Sequence, residues 1–228
     1  MDILFEDNHI IAVNKHVAEI VQADKTGDQS LEQLIKEYIR EKYEKPGEAF
    51  LGVVHRIDRP VSGVVLFART TKALTRLNVM FQEKSVEKIY WAIVKEKPPK
   101  AEDTLTHYLV RNTKSNKSYC YKKEVEGSKL AILHYKLLAS SDLYHLLEIN
   151  LETGRHHQIR SQMATIGCSI KGDLKYGFPR SNKDGGISLH SRKVTFVHPV
   201  RNEKITIEAP PPDDSLWKAF SKIQADSL

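Results

Sequence analysis

The sequence has 228 residues, of which 40% are apolar and 28% charged, a balance that is typical of a globular protein and excludes a disordered chain, a collagen and a disulfide scaffold. The 35 basic residues exceed the 29 acidic ones by 6, and this excess permits binding to a polyanion without demonstrating it. No apolar run is long enough to span a membrane, and the N-terminus lacks the basic start and apolar core of a secretion signal, so we expect a cytoplasmic protein that does not bind a membrane.

The first fifty residues predict a pair of strands followed by a helix. Two short apolar runs, Ile3–Phe5 and Ile10–Val13, flank an acidic turn and are typical of a hairpin. Apolar residues then recur at helical spacing from position 31 to position 43. Ser30 and Gln33 have the spacing of a capping box, which marks the start of this helix.

Between positions 50 and 100 the pattern predicts three strands and one helix. A short strand is expected at Val53–Arg56 and a stronger one at Gly63–Arg69. The helix that follows presents one apolar face, formed by Leu74, Leu77 and Phe81. Residues 88–94 are rich in β-branched and aromatic types, which favours a strand.

The rest of the sequence predicts mostly antiparallel sheet. Alternating stretches between positions 104 and 151 indicate a meander of short strands. A helix is expected between Gly154 and Gly167, strands at 193–197 and 204–209, and a terminal helix at 215–225. The predicted fold class is therefore α+β, a mixed, mostly antiparallel sheet flanked by helices and loops, and we expect residues 1–228 to form a single domain.

The densest cluster of polar residues surrounds Asp58, which lies between Arg56 and Arg59 and between two apolar strands. Neighbouring cations favour the ionised form of a carboxylate. An ionised and partly desolvated carboxylate can act as a nucleophile or as a general base. The alternative is a surface turn with a solvated ion pair, which would contribute little to the stability of the fold.

Two further clusters contain residues that suit chemistry. In the first, Arg155, His157 and Arg160 belong to one predicted helix, where His157 and Arg160 would share a face. An arginine there can pair bidentately with a carboxylate or a phosphate, and the alternative is an exposed basic helix face. In the second, Tyr90 and Trp91 alternate faces of a strand, so one is expected in the core while the other can line a cleft.

Together these segments resemble the RluA-type pseudouridine synthases. HRIDRPVSGVVLFAR at 55–69 is similar to their H-R-L-D-R-x-T-S-G motif, and KIYWAIV at 88–94 to their tyrosine-bearing strand. GRHHQIRSQMATIGCSIKGDLKYG at 154–177 and LHSRKVTFVHP at 189–199 are similar to two later segments of the family. The similarities keep the family order and extend from about residue 3 to residue 210. The chain resembles the compact members, without an N-terminal S4-like domain.

The resemblance implies an RNA isomerase that converts uridine to pseudouridine without a metal or other cofactor. Asp58 corresponds to the catalytic aspartate, which suits two routes, nucleophilic attack or removal of a ribose proton. Arg160 corresponds to the arginine that pairs with this aspartate, and Tyr90 to the tyrosine that packs on the target uracil. Arg56 corresponds to an arginine that occupies the space of the flipped nucleotide.

The resemblance also assigns structural positions. His55, Ser62 and Gly63 are expected to shape the catalytic loop, and no chemistry is assigned to the segment that contains Lys171, Gly172, Asp173 and Tyr176. The chain departs from the family at Ile57, which replaces leucine, at Val61, which replaces threonine, and at Gln162, which stands where relatives often have histidine. None of these departures removes a named catalytic group.

RNA, either ribosomal or transfer RNA, is the expected partner, and a monomer is expected. The stretch 111–123 has five basic residues and no acidic one, so it can follow phosphates while Tyr119 and Tyr121 stack on bases. The alternative is a solvated loop between strands. The predicted RNA-binding residues are Arg56, Arg59, Arg155, His157, Lys114, Lys117, Lys122 and Lys123.

Three other functions remain as alternatives. A non-catalytic RNA-binding protein with the same fold would not need Asp58, Tyr90 and Arg160. A metal hydrolase would need ligand spacing that the scattered histidines and the two cysteines do not show. A glycosidase would need a second carboxylate across from Asp58, and none is evident.

Overall fold

The structure, a computed structural model, describes residues 1–225 and confirms the α+β class. In chain order the strands are β1 (Asp2–Glu6), β2 (Ile10–Lys15), β3 (Gly52–Val53), β4 (Ser62–Ala68), β5 (Glu87–Val94), β6 (Glu102–Asn112), β7 (Lys117–Tyr121), β8 (Lys129–Ser140), β9 (His145–Leu151), β10 (Leu189–Val197) and β11 (Lys204–Glu208). The helices are α1 (Leu31–Lys42), α2 (Thr71–Gln82), α3 (Gln158–Thr165) and α4 (Ser215–Ala225). None of the helices within these residues is long and apolar enough to cross a membrane.

The chain forms two compact units. The first contains Met1–Glu87 and Ser191–Pro210, and the second contains Lys88–His190 and the segment that begins at Pro211. The single-domain organisation of residues 1–228 stays a prediction.

The first unit is built on β2 and β4, whose residues are all buried. The strand order is β1-β2-β4-β10, with β11 beside β10 and β3 beside β4. The predicted hairpin is confirmed, since β1 and β2 pair antiparallel. One face of β2 and β4, including Ile10, Ala12, Val64 and Leu66, packs with Leu77 of α2 in one core cluster.

The predicted capping box of α1 is present in the first unit. The Ser30 hydroxyl accepts the backbone N–H of Gln33, and the Gln33 side chain accepts the backbone N–H of Ser30. The buried residues of the helix are Leu31, Ile35 and Ile39, which follow the predicted apolar spacing. The capping hydrogen bonds and the apolar spacing both involve residues only three or four positions apart. The sequence alone was therefore sufficient to predict this helix.

The second unit contains an antiparallel sheet in the order β5-β9-β8-β6-β7. The three alternating stretches predicted between 104 and 151 are β6, β8 and β9, which pair antiparallel in chain order, so the predicted meander is confirmed. The additional strand is β7. β8 pairs with β6 and not with β7, so that β7 lies at the edge. The inward residues Ala131, Leu133 and Tyr135 of β8 are buried, as expected of a strand that has a neighbour on each side.

Two predicted element boundaries are also wrong. The strand expected at Val53–Arg56 ends at Val53, because the His55 side chain takes the next N–H group of β4. The helix that was to include His157 begins only at Gln158, because His157 has a left-handed backbone with φ of 52°. His157 and Arg160 therefore do not share a helical face.

Candidate functional site

The segment around Asp58 is a turn in the first unit that precedes β4. The Val61 N–H donates to the Asp58 carbonyl at 3.0 Å and closes the turn. Asp58 is half-buried, whereas Arg56 and Arg59 are exposed. Arg59 forms an exposed ion pair with Asp28 at 2.7 Å. The turn therefore presents a half-buried carboxylate that two exposed arginines flank in the sequence.

Lys15 at the end of β2 supports this turn from within the core. Its side chain is fully buried, and Nζ donates to the carbonyl oxygens of His16, Arg59 and Val61 at 2.9, 3.0 and 2.7 Å. Burial lowers the pKa of Lys15 to about 8, while the charges of Glu19 and Asp58 oppose that shift. Lys15 was not among the predicted site residues, although its position at the end of the apolar run Ile10–Val13 could have indicated a buried charge.

We expect Lys15→Met to lower the free energy of unfolding by about 2 kcal/mol at pH 7, because the variant leaves buried carbonyl oxygens without a donor. Since the folded-state pKa of Lys15 is about 8 and an unfolded lysine titrates near 10.4, unfolding takes up a proton between these values. The wild type therefore gains stability relative to the variant as pH rises through this window. Urea titrations at several pH values measure both effects, and a difference that stays constant with pH would contradict the second.

Ala18 supports the same turn from a strained backbone. Its N–H donates to the Arg59 carbonyl at 3.1 Å. This carbonyl therefore accepts hydrogen bonds from both the Ala18 N–H and Lys15 Nζ. The φ of Ala18 is 71°, in the left-handed region that a Cβ atom disfavours. The loop after β2 therefore carries local strain at the point where it contacts the Asp58 turn.

We expect Ala18→Gly to raise the free energy of unfolding by about 1 kcal/mol, because glycine adopts this backbone conformation without steric cost. The matched control is Ala164→Gly in α3, where the helical backbone already suits alanine and the change is expected to destabilise by about 0.5–1 kcal/mol. Urea unfolding midpoints compare the two. Equal losses of stability in both variants would contradict the strain at Ala18.

His55 explains why β3 is short. β3 pairs with β4 at Gly52 and Val53, which face Ala68 and Phe67. The next N–H of β4, that of Leu66, donates to His55 Nε2 at 2.9 Å. The imidazole ring stacks on Phe81 of α2, with the ring centroids 4.9 Å apart. His55 thus replaces strand pairing by a side-chain hydrogen bond at the start of the segment that leads to Asp58.

Gly63 at the start of β4 allows a close approach of two backbones. Its φ is 113°, and a Cβ atom at this position would lie 2.3 Å from the Ser191 carbonyl oxygen. No other residue type fits without moving β10. The interpretation of Gly63 as a residue that shapes the loop therefore has a direct steric basis.

In the second unit Arg160 forms a buried ion pair with Asp173. Nε and Nη2 of Arg160 donate to Oδ2 and Oδ1 of Asp173 at 2.7 and 2.9 Å. Only 5% of the arginine side chain and 1% of the aspartate side chain are exposed. Such a bidentate pair holds the guanidinium plane in one orientation. No chemistry was predicted for Asp173, because a separation of 13 residues from Arg160 gives no sequence pattern that indicates pairing.

Tyr176 connects this ion pair to neighbouring segments. Its ring lies beneath the Arg160 guanidinium, 5.2 Å from the ring centroid. Its hydroxyl accepts the Ser118 N–H at 2.7 Å and is 3.0 Å from His157 Nδ1. His157, one of the predicted RNA-binding residues, therefore lies in a packed polar network, and its contact with RNA stays a prediction.

Tyr90 and Trp91 lie on opposite faces of β5. Trp91 packs against a cluster that includes Leu146 and Trp217, so it is the aromatic residue of the two that joins this core. Tyr90 is 8% exposed. The role of Tyr90 at a target base stays a prediction.

The basic stretch 111–123 is a hairpin in the second unit and not a loop. Its ends belong to β6 and β7, and Lys114 lies in the turn between them. Lys114, Lys122 and Lys123 are exposed, while Lys117 is half-buried. Arg155 is exposed and its Nε donates to the Leu130 carbonyl at 3.0 Å. These cations are therefore placed on an ordered framework.

The departure at Gln162 is accommodated by a buried polar contact. Nε2 of Gln162 donates to the Leu105 carbonyl at 3.0 Å and lies 3.0 Å from His107 Nδ1. The amide therefore joins α3 to β6. Within residues 1–225 no group of three or more His, Cys, Asp or Glu side chains is placed to hold a metal ion.

Comparisons with known proteins agree with one another. Residues 9–165 match the family model described as RNA pseudouridylate synthase. An uncharacterized RNA pseudouridine synthase of Bacillus subtilis is 33% identical over 218 residues, which cover 94% of this chain and 70% of that protein. Ribosomal large subunit pseudouridine synthase D of Zymomonas mobilis is 30% identical over 224 residues, covering 94% of this chain and 70% of that protein.

Two further comparisons cover nearly the whole of both proteins. tRNA pseudouridine synthase C of Vibrio parahaemolyticus is 28% identical over 247 residues, with 99% of this chain and 96% of that protein covered. The solved structure of human RNA pseudouridylate synthase domain containing 4 superimposes with a TM-score of 0.79 at 19% identity, covering 98% of this chain and 93% of that chain. At this identity the structural likeness supports the fold.

Proposed function

Because the chain belongs to the RluA-type RNA pseudouridine synthase family, we propose that it isomerises specific uridines of ribosomal or transfer RNA, with Asp58 as the catalytic residue. The observation that carries the proposal is the half-buried Asp58 carboxylate on a turn that Lys15 anchors through two carbonyl oxygens of that turn. A reactive group on a rigid support keeps its orientation toward the substrate.

The reaction rearranges bonds within one nucleotide. The bond between C1′ of the ribose and N1 of the uracil breaks, the detached base turns, and C1′ bonds to C5. The proton on C5 is then lost and N1 gains one, so that no atom is added or removed overall. Asp58 can attack C1′ as a nucleophile or remove a ribose proton as a base, and both routes remain open.

The target nucleotide must leave the RNA stack before this chemistry can occur, because C1′ and C5 are not reachable within a helix. Arg56 is exposed two residues before Asp58. We propose that its side chain occupies the space that the flipped nucleotide leaves in the RNA stack. We propose that Tyr90 packs on the target uracil. The pairing of Arg160 with Asp58 that the resemblance implies stays a prediction, and the fixed orientation of Arg160 by Asp173 is compatible with it.

The test is turnover by the purified protein on transcripts of ribosomal and transfer RNA. Pseudouridine is located by carbodiimide treatment followed by reverse transcription, which stops at modified positions. We expect new stops at one or a few uridines of one RNA class, and cells that lack the gene should lose the same stops. Binding of these RNAs without any new stop would overturn the enzymatic proposal in favour of an RNA-binding protein.

A further inference from the structure

An exposed face of β6, β7 and β8 is rich in aromatic residues. We call it the tyrosine face and define it by Tyr108, Val110, Tyr119, Tyr121 and Leu130. The pairing register places Tyr121 and Leu130 on either side of Tyr108, and Tyr119 beside Val110. Since side chains alternate along a strand, all five point to the same side of the sheet.

The opposite side of these strands is the packed one. Ser118 and Cys120 of β7 alternate with the tyrosines, and Ser118 is buried. Its hydroxyl bonds the backbone carbonyl of His156 at 2.6 Å. The packing of the sheet therefore leaves the tyrosine face on the outside.

The tyrosine face is exposed to an unusual degree for apolar groups. Tyr119 is 46% exposed, Tyr121 43% and Leu130 38%. Within residues 1–225 the side chains of Tyr119 and Tyr121 form no hydrogen bond and contact no other ring. Contiguous exposed apolar groups on a protein surface mark binding sites more often than isolated ones do.

Cations border the tyrosine face. Lys117 lies two residues before Tyr119 on the same side of β7. Arg155 reaches the backbone of Leu130, and so brings a guanidinium group to the other border. Aromatic rings flanked by cations form the arrangement that binds unpaired nucleotides, because bases stack on the rings while the phosphates meet the positive charges.

The hairpin that bears the tyrosine face is held in place at its tip. Lys175 Nζ donates to the Asn116 carbonyl at 3.2 Å, and His156 Nε2 lies 3.1 Å from Asn116 Oδ1. Tyr176, whose ring lies beneath Arg160, accepts the Ser118 N–H. The position of β7 is therefore tied to that of the Arg160–Asp173 ion pair.

We propose that the tyrosine face is a stacking platform for unpaired nucleotides of the substrate RNA that flank the target uridine. This inference rests on the proposed function and adds the kind of RNA that is bound, an unpaired loop or a bulge and not a continuous duplex. Stacking is tolerant of base identity because every base has a π-face. The platform thus selects for RNA shape.

The decisive variant is Tyr119→Ala with Tyr121→Ala. We expect the Kd for a substrate stem-loop to rise about tenfold or more, as loss of two stacking contacts implies, with a matching rise in KM and with kcat within about twofold. Affinity for a plain duplex of equal length should not change. Tyr119→Phe with Tyr121→Phe keeps both rings and should retain wild-type affinity.

Leu143→Ala is the matched control, since Leu143 is 65% exposed in the turn between β8 and β9 of the same unit. It should leave Kd and KM unchanged. Urea unfolding of each variant verifies that the fold persists. Unchanged stem-loop affinity in the double alanine variant overturns the platform, and so does a loss of self-association in gel filtration without loss of RNA affinity, which would indicate a protein interface.

The experiments distinguish a failure of the stacking platform from a failure of the proposed enzymatic function. If the wild type forms no pseudouridine on any transcript while the double alanine variant still loses stem-loop affinity, the proposed enzymatic function fails and the platform stands. If the wild type forms pseudouridine and the double alanine variant retains its KM, the enzymatic function stands and the platform fails.

Discussion

Asp58→Asn is expected to lower the rate of pseudouridine formation by about 10³-fold or more, since the amide can act neither as a nucleophile nor as a general base of useful strength. The amide has nearly the volume of the carboxyl group, so the turn that Lys15 and Ala18 support should remain in place. RNA affinity should stay within about threefold, because the carboxylate acts on the reacting bonds and not on the bound ground state. Single-turnover kinetics and RNA titrations measure the two quantities.

The matched control for Asp58→Asn is Asp142→Asn. Asp142 is exposed in the turn between β8 and β9, and its replacement should leave both rate and affinity unchanged. Retention of more than about a tenth of the wild-type rate by Asp58→Asn would remove Asp58 from the chemistry. A loss of RNA affinity equal to the loss of rate would instead make it a binding residue.

Asp173→Asn is expected to lower the free energy of unfolding by about 3–4 kcal/mol, because the variant leaves the Arg160 guanidinium buried without its counter-charge. The bidentate geometry between these residues requires two oxygen acceptors, and the amide offers one acceptor and one opposed donor. The orientation of Arg160 should be lost as well. We therefore expect a fall in kcat beyond what partial unfolding explains, measured at a temperature where the variant is folded.

The matched control is Asp103→Asn, which breaks the surface ion pair with Lys100 in the same unit. Both groups of this pair are more exposed than Arg160 and Asp173, so the expected loss of stability is much smaller than that of Asp173→Asn. Urea midpoints compare the two variants. Similar losses in both would show that burial does not strengthen the Arg160–Asp173 pair.

The local elements were predictable from the sequence. α1 follows from apolar spacing and from Ser30 and Gln33, which contact each other within four residues. The hairpin of β1 and β2 follows from two apolar runs separated by a short acidic turn. The family was predictable as well, because its motifs are contiguous segments in a fixed order, and the match over residues 9–165 confirms it.

The position of β7 in the sheet and two element boundaries were not predictable. Alternation along β6, β7 and β8 indicates which residues share a face but not which strand lies beside which, because pairing depends on residues far apart in the chain. β3 ends early since His55 caps an N–H of β4, and α3 starts late since His157 adopts a left-handed backbone. Each outcome is decided by a contact or a backbone state that no short pattern encodes.

The sequence by itself determined the fold class, the family and the position of Asp58 on a turn between strands. Only the tertiary structure decided how the charged residues of the two units are supported. Lys15 binds the Val61 carbonyl 46 residues away, and Arg160 binds the Asp173 carboxylate 13 residues away. The physical reason is that a buried charge is stable only when its whole surroundings compensate for lost water, and the chain assembles those surroundings from segments that are remote in sequence.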